Sequence, residues 1–319
     1  MLLSIIIPIY NVEKYIDGTL RSIYSQLGNH ISDIEIIMVN DDSSDQSAAI
    51  ATQYYDQYQS ITQLIHQNNM GLSCARNTGL KAAQGQYIWF VDSDDSIESD
   101  SLSKIIKYIK EYHADILAFD MLRIKEKNQK IKYVSIFHRK YNHYLYCKKL
   151  NRFQLVSKIR ETPVQKFIFR HSFLKENQLT FYPGIFHEDN EYMVRCLFHA
   201  KTIIPIPYAP YRYLARSSGS ITSSKNPKRI KDLLLIMQIH NSYKETHCVK
   251  YKDKAFFDYY NFRAVHRLLK NNLFKEYKDT VGYDKKEFKN ILIKGLRASA
   301  HFVLWYSIIE CFIDLYKNK

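Results

Sequence analysis

Three carboxylates, Asp92, Asp94 and Asp95, stand within four consecutive positions, with Ser93 between the first two. They directly follow an unbroken apolar run, Tyr87 to Val91. Oxygen ligands on so short a segment suit a hard divalent cation, Mg²⁺ or Mn²⁺, and such a cation can carry a diphosphate. The same residues also suit an acidic turn before the next helix, with Asp95 or Ser96 as its N-cap. A second polar cluster, Asn40 to Asp45, follows the apolar run IEIIMV. His187, Glu188 and Asp189 open a third candidate segment, where acids in a first helical turn also answer the helix dipole.

The elements that must position these residues can be read from periodicity. The runs at 4–10, 34–39 and 61–66 read as strands, and the all-apolar run at 87–91 predicts a strand buried on both faces. Helical spacing over 15–27 and 47–58, and a loop at 67–85 that opens a helix ending at Gly85, separate them. Pro8 cannot donate to a ladder and is expected to end the first strand. This βα alternation predicts an α/β chain with a mostly parallel, doubly wound sheet. The ends of strands one, two and four then meet at one edge, where open α/β sheets bind ligands. No GxxxxGK[ST] is present, and YNVEKY rather than GxGxxG follows strand one, so neither a P-loop nor a dinucleotide fingerprint is expected.

Further along, 102–110 reads as a helix, 116–123 as a strand and 124–150 as a basic hairpin region. Residues 153–175 read as helix interrupted near Pro163, and 203–213, with Pro205, Pro207 and Pro210, as an extended loop. The Ser-rich stretch 215–227 is the best boundary. It divides a first domain, 1–222 (halves 1–122, which carries the candidate nucleotide site, and 123–222), from a helical extension, 223–319. Helices are expected there at 229–245, 254–274, 285–297 and 298–316.

The chain has 319 residues and a net charge of +14, unevenly placed. Residues 1–122 hold 7 Lys and Arg against 16 Asp and Glu, whereas residues 123–175 hold 15 against 2. An acidic first domain argues against a nucleic-acid partner, and the basic middle and tail suit anionic lipid head groups or a phosphorylated acceptor. Five scattered Cys without a CxxC pair point to a reducing compartment and away from zinc. With no secretory signal and no run long enough to span a bilayer, a cytoplasmic protein is expected, peripheral at the inner membrane face. Residues 297–316, apolar nearly all round, suit packing on neighbouring helices or a second copy in a homodimer, or lying in a membrane interface.

The motifs IIIPIYN (5–11), VNDDSSD (39–45), QNNMGLSCARNTGL (67–80) and VDSDD (91–95), in that order, resemble those of family 2 glycosyltransferases with the GT-A fold. HEDNEY (187–192) and YRYLARSSGSIT (211–222) resemble the family's later motifs, so the likeness covers the chain to about residue 222. The resemblance implies a base and ribose pocket lined by Pro8, Tyr10, Asn11 and Glu13, with Asp41 accepting from the base imide. It implies a closing loop at Asn69, Gly71 and Arg76, a ribose contact at Asp92 beside Ser93, and a metal ligand at Asp94. Arg212, Arg216 and Ser220 resemble the segment folding over the diphosphate, and Asp189, with Glu188 beside it, resembles the catalytic base. Expected from this are Mn²⁺ or Mg²⁺ as cofactor, a nucleotide-sugar donor with UDP favoured, and a glycan or lipid-linked acceptor of bacterial surface polysaccharide synthesis.

The chain departs from the family pattern in three places. Asp42 stands where Gly is usual, Val164 and Gln165 replace a Trp-Asn pair, and no QxxRW follows the HED segment. The last departure favours addition of single sugars over processive synthesis. Lys166, which ends the Val164–Gln165 motif, reads as a surface lysine. Two alternatives are a sugar-phosphate nucleotidyltransferase, which would need a Gly-rich, Lys-bearing loop after strand one, and an inactive membrane-surface scaffold of the same fold.

Overall fold

The computed structural model describes residues 1–137, 145–156, 158–159, 162–217, 228–270 and 293. The chain forms two compact units: Met1–Arg152, Ile159–Gly184 and Glu188–Ser224 in the first, and Phe153–Lys158, Ile185–His187 and Lys225–Lys319 in the second.

In the first unit, β1 (Leu3–Ile9), β2 (Ile34–Asp41), β3 (Thr62–Gln67) and β4 (Tyr87–Phe90) alternate with α1 (Ile16–Tyr24), α2 (Ser47–Gln57) and α3 (Leu72–Ala82). The strands pair in parallel in the order β3-β2-β1-β4. There follow β5 (Ser96–Ile97), α4 (Ser101–Tyr112), β6 (Ile116–Lys125), β7 (Ile131–Val134), α5 (Arg152–Leu155, all but its first residue belonging to the second unit), β8 (Phe167–Arg170), α6 (His171–Glu176), α7 (Glu188–His199) and β9 (Ile203–Ala215). β8 runs antiparallel between β4 and β6, β9 lies parallel to β6, and β5 closes the far edge antiparallel to β9. The sheet is therefore mixed, parallel in the half that alternation predicts.

Every residue of β1, β2 and β4 is buried, because helices cover both faces. Ile5, Ile7, Ile36, Met38 and Trp89 face the apolar stripes of α1 (Ile16, Leu20, Ile23) and α4 (Leu102, Ile105, Ile106, Ile109). On the opposite face α3 comes so close to β1 that a Cβ on Gly79 would lie 2.4 Å from Ile6 Cγ2.

Several expectations change here. Pro8 does not end β1, which runs on to Ile9. The carbonyl of Ile6 takes Val91 N–H at 3.0 Å, so Pro8, two residues on, faces the same side beyond the end of β4, where no donor is required. The helix expected over 153–175 is broken instead into α5, the strand FIFR and α6. A short apolar run does not distinguish helix from strand by period, and the slot between β4 and β6 decides it. The proline-rich segment 203–213 is strand β9; β5 reaches only Tyr211 and Arg212 of it, and Pro205, which has no N–H to offer, pairs through its carbonyl, which takes Cys147 N–H at 2.7 Å.

Gly85 is not the helix cap, since α3 ends at Ala82. It is needed for close approach: a Cβ there would lie 2.5 Å from Ser4 Oγ and 2.7 Å from Ser4 N, while its N–H donates to the buried Glu35 carboxylate at 2.7 Å. Gly85→Ala is expected to cost about 1–3 kcal/mol by overpacking, read as a lowered denaturant midpoint with unchanged slope.

In the second unit, α8 (Lys228–His247) and α9 (Tyr251–Lys270) are held by Lys244 on Asp258 at 2.7 Å and by His240 Nδ1 and Asn261 Oδ1 at 2.9 Å. The helices expected at 285–297 and 298–316 lie outside the described residues. Among the described residues, no helix is long and apolar enough to cross a membrane.

Candidate active site

The parallel pairing of β2, β1 and β4 brings their carboxyl ends to one edge, and the loops there are laced together. Asn11 Oδ1 accepts from Ser44 N at 2.9 Å, Glu13 N donates to Asp45 at 3.0 Å, and Glu13 Oε2 accepts from Gln46 N at 3.1 Å. Two non-glycine residues carry this turn with positive φ, Asn11 at 49° and Asp42 at 63°. Asp42 thus adopts the left-handed conformation for which the family's glycine is suited, and Asp tolerates it better than most side chains. Tyr10 projects outward, 50% exposed. Asp41, by contrast, is buried and holds the next loop: Oδ1 accepts from Gln67 Nε2 at 2.7 Å and Met70 N at 2.9 Å, and Oδ2 from Gly71 N at 2.8 Å. Gly71 supplies the turn with φ 85°, and Asn69 lies exposed upon the loop.

After β4 the chain turns sharply through Asp92, Asp94 and Asp95, whose ligand oxygens all lie within 4.8 Å of one another. None of these residues caps a helix. Ser96 enters β5, and α4 begins only at Ser101 behind Asp100. Asp95 is the structural member: Tyr211 Oη donates to its Oδ2 at 2.5 Å and Leu214 N to its Oδ1 at 2.7 Å. Burial and the neighbouring Asp94 and Asp92 push its proton affinity well up. Asp94 is pushed up to about 6 by burial and then by Asp92, with Arg216, whose Nε lies 2.9 Å from Oδ2, acting against the shift. Crowded, partly buried carboxylates with an all-oxygen donor set fit a hard divalent cation, which would relieve their repulsion; Asp94 and Asp92 are the residues that would hold it.

Asp92 is tied to a later part of the chain. Arg76, only 1% exposed, donates from Nη2 to Asp92 at 2.8 Å and from Nη1 to Glu188 at 2.7 Å. Gln165 Nε2 reaches the other Asp92 oxygen at 2.5 Å. Arg76 therefore lies in α3 rather than on the loop, where it cements the acidic turn to the first turn of α7. Glu188, read beside Asp189 as part of the catalytic segment, has its charge met by Arg76. Asp189 follows it, half-buried, with Asn190 N donating to Oδ1 at 2.7 Å.

Of the other expected residues, Pro8 is in β1, and Ser93 is buried with its carbonyl taking Thr19 Oγ1 at 2.9 Å. Arg216 joins the acidic turn, and its guanidinium also lies 5.3 Å from the centre of the Tyr15 ring. Arg212 does not; it lies within β9 and pairs with Glu98. Ser220 lies outside the described residues. Lys166 is fully buried, not at the surface, with Nζ 3.3 Å from Val134 O.

Sequence reasoning missed Gln165 and Tyr211. Both lie more than 70 positions from the aspartates they contact, and nothing in local pattern announces such a contact. Tyr211 Oη also accepts from Asp92 N at 3.1 Å, so one hydroxyl spans the turn. Tyr211→Phe keeps the ring on Trp89 but orphans both partners, and is expected to cost about 1–3 kcal/mol, measured by chemical denaturation.

Comparison with known proteins places this geometry. The model for "Glycosyl transferase family 2" matches residues 4–176. An uncharacterized glycosyltransferase of Haemophilus influenzae is 30% identical over 224 residues, 70% of this chain and 83% of that protein. The uncharacterized glycosyltransferase EpsJ of Bacillus subtilis is 46% identical over 116 residues, 36% of this chain, and the chain spans only about a third of its length, 33%. The crystal structure of S. aureus TarS 1–349 in complex with UDP-GlcNAc superposes with a TM-score of 0.69 at 22% identity, covering 95% of this chain and 80% of that one, a likeness of fold. An acidic turn ending a buried parallel strand, the loops around it and this breadth of match lead to one assignment: the chain belongs to glycosyl transferase family 2.

Proposed function

We propose that the chain is an inverting, non-processive glycosyltransferase that moves one sugar from a UDP-sugar to a hydroxyl of a glycan or lipid-linked oligosaccharide in bacterial surface polysaccharide synthesis. The observation that carries this reading is the Asp92–Asp95 turn, three carboxylates within 4.8 Å at the carboxyl edge of the parallel strands. TarS, the neighbour in fold, is described in complex with UDP-GlcNAc, which supports a UDP-linked donor.

In this reading Tyr10 and the 67–71 loop, braced by Asp41, flank the base. Asp189 removes the proton from the acceptor hydroxyl. The acceptor oxygen then forms the bond to the anomeric carbon from the face opposite the diphosphate, and the bond from that carbon to the diphosphate oxygen breaks, releasing nucleoside diphosphate. Arg216 stands beside Asp94 to meet charge on the leaving group. A bound Mn²⁺ or Mg²⁺ would supply charge neutralisation of the diphosphate. The enzyme works at the inner membrane face, where a lipid-linked acceptor is held.

The test is calorimetry of UDP, GDP, CMP and dTDP with and without Mn²⁺ on wild type and Asp94→Ala. UDP is expected to bind more tightly with Mn²⁺, and the variant to lose that increment. Because protons compete for Asp94, which ionises near pH 6 in the free protein, the Mn²⁺ increment should fade about tenfold per pH unit as the pH drops below about 6. Absence of binding by any nucleotide under all metal conditions would sink the reading.

A further inference from the structure

The β6–β7 hairpin carries an uncompensated charge pattern that the transfer chemistry does not use. Its register sets Arg123 opposite Lys132 and Ile124 opposite Ile131, and one step further Lys125 N donates to Lys130 O at 3.1 Å. Residues two apart on a strand share a face, so Arg123, Lys125, Lys130 and Lys132 lie together as two like-charge pairs across the ribbon. Like charges directly opposite destabilise a hairpin. All four are exposed, and among the described residues none is in an ion pair; Arg123 meets only the Tyr213 ring, at 5.7 Å.

The same hairpin exposes apolar surface. Ile131 and Tyr133 are each 53% exposed. Tyr133 is turned in the unusual sense, with its hydroxyl donating inward to the buried Asp120, so hydrocarbon rather than the polar end meets solvent. Among the described residues β7 pairs only with β6, so a plane laid along its outer edge meets side chains from both faces. Lysines alone would be explained as protection of an edge strand against pairing. That explanation does not require like-charge pairs, and it is at odds with a half-exposed isoleucine and ring on the same edge.

We propose that this hairpin is a docking element for an anionic phospholipid surface, with Arg123, Lys125, Lys130 and Lys132 on the head groups and Ile131 and Tyr133 entering the interface. The inference rests on the proposed function only for its purpose, which is to hold the enzyme where a lipid-linked acceptor is presented. A soluble polyanion would satisfy the cations but offer nothing to Ile131.

The test uses the full chain and vesicles of phosphatidylglycerol and phosphatidylcholine, read by flotation, alongside vesicles of phosphatidylcholine alone and inorganic polyphosphate. Wild type should bind the anionic vesicles, weakly in high salt, and ignore the neutral ones. Arg123→Gln, Lys125→Gln, Lys130→Gln and Lys132→Gln combined should weaken binding on the order of a thousandfold. Its thermal midpoint should be unchanged or raised, since two repulsions are gone. Ile131→Ser alone should cost several-fold with the salt dependence kept. Wild-type vesicle affinity in the fourfold variant would overturn the proposal. So would equal binding to neutral vesicles, or loss of polyphosphate binding alone, which would make the strip a site for a soluble polyanion. UDP calorimetry on the same proteins separates the two readings: failure of UDP binding in wild type ends the transferase reading and leaves the docking result standing.

Discussion

Arg76→Ala is expected to lower the unfolding free energy by about 3–5 kcal/mol, because it strands two carboxylates that have little water to turn to. The guanidinium is 1% exposed and its two terminal nitrogens are divided between Asp92 at 2.8 Å and Glu188 at 2.7 Å. Burial by itself would make the arginine easier to deprotonate, but the two carboxylates outweigh it and hold the cation more firmly than usual. Arg76→Lys should recover only part of the loss, since an ammonium is a point charge and cannot present two parallel donors to two acceptors. Denaturant unfolding measures the loss. Combining Arg76→Met with Asp92→Asn and Glu188→Gln should restore a large part of it, because the buried charges then disappear together. Full recovery of stability by Arg76→Met alone would show that the pair contributes nothing.

Asp189→Asn is expected to lower turnover about 10²–10⁴-fold while leaving UDP affinity and stability near wild type. Its neighbour should behave in the opposite way. Glu188→Gln removes a partner of Arg76, so it should lower stability while keeping turnover within about tenfold of wild type. Release of UDP from a UDP-sugar with acceptor present, set beside the unfolding midpoint, distinguishes the two residues. If Glu188→Gln abolishes turnover and Asp189→Asn does not, the base has been assigned to the wrong carboxylate.

Much of the fold was legible because the first ninety residues are locally consistent. Each of β1, β2 and β4 is an apolar run buried on both faces, and the helices between them carry an apolar stripe at helical spacing. The second half was harder to read because local pattern and tertiary setting disagree there. FIFR is too short for its period to speak, and β9 contains prolines that argue against a strand until one sees that Pro205 takes part as an acceptor, its carbonyl meeting Cys147 N–H.

The sequence by itself determined where the chemistry gathers: strand ends carrying Asn11, Asp41 and Asp92–Asp95, in an order that only a parallel sheet turns into one edge. What the tertiary structure alone decided was the role each carboxylate is free to play. Asp41 braces a loop, Asp95 is consumed by Tyr211 and Leu214, Glu188 is answered by Arg76, and Asp94 lies against Arg216. The reason is physical. Residue type and spacing follow the chain, whereas the state of a carboxylate depends on burial and on donors within about 3 Å, and those donors come from segments scores of residues away.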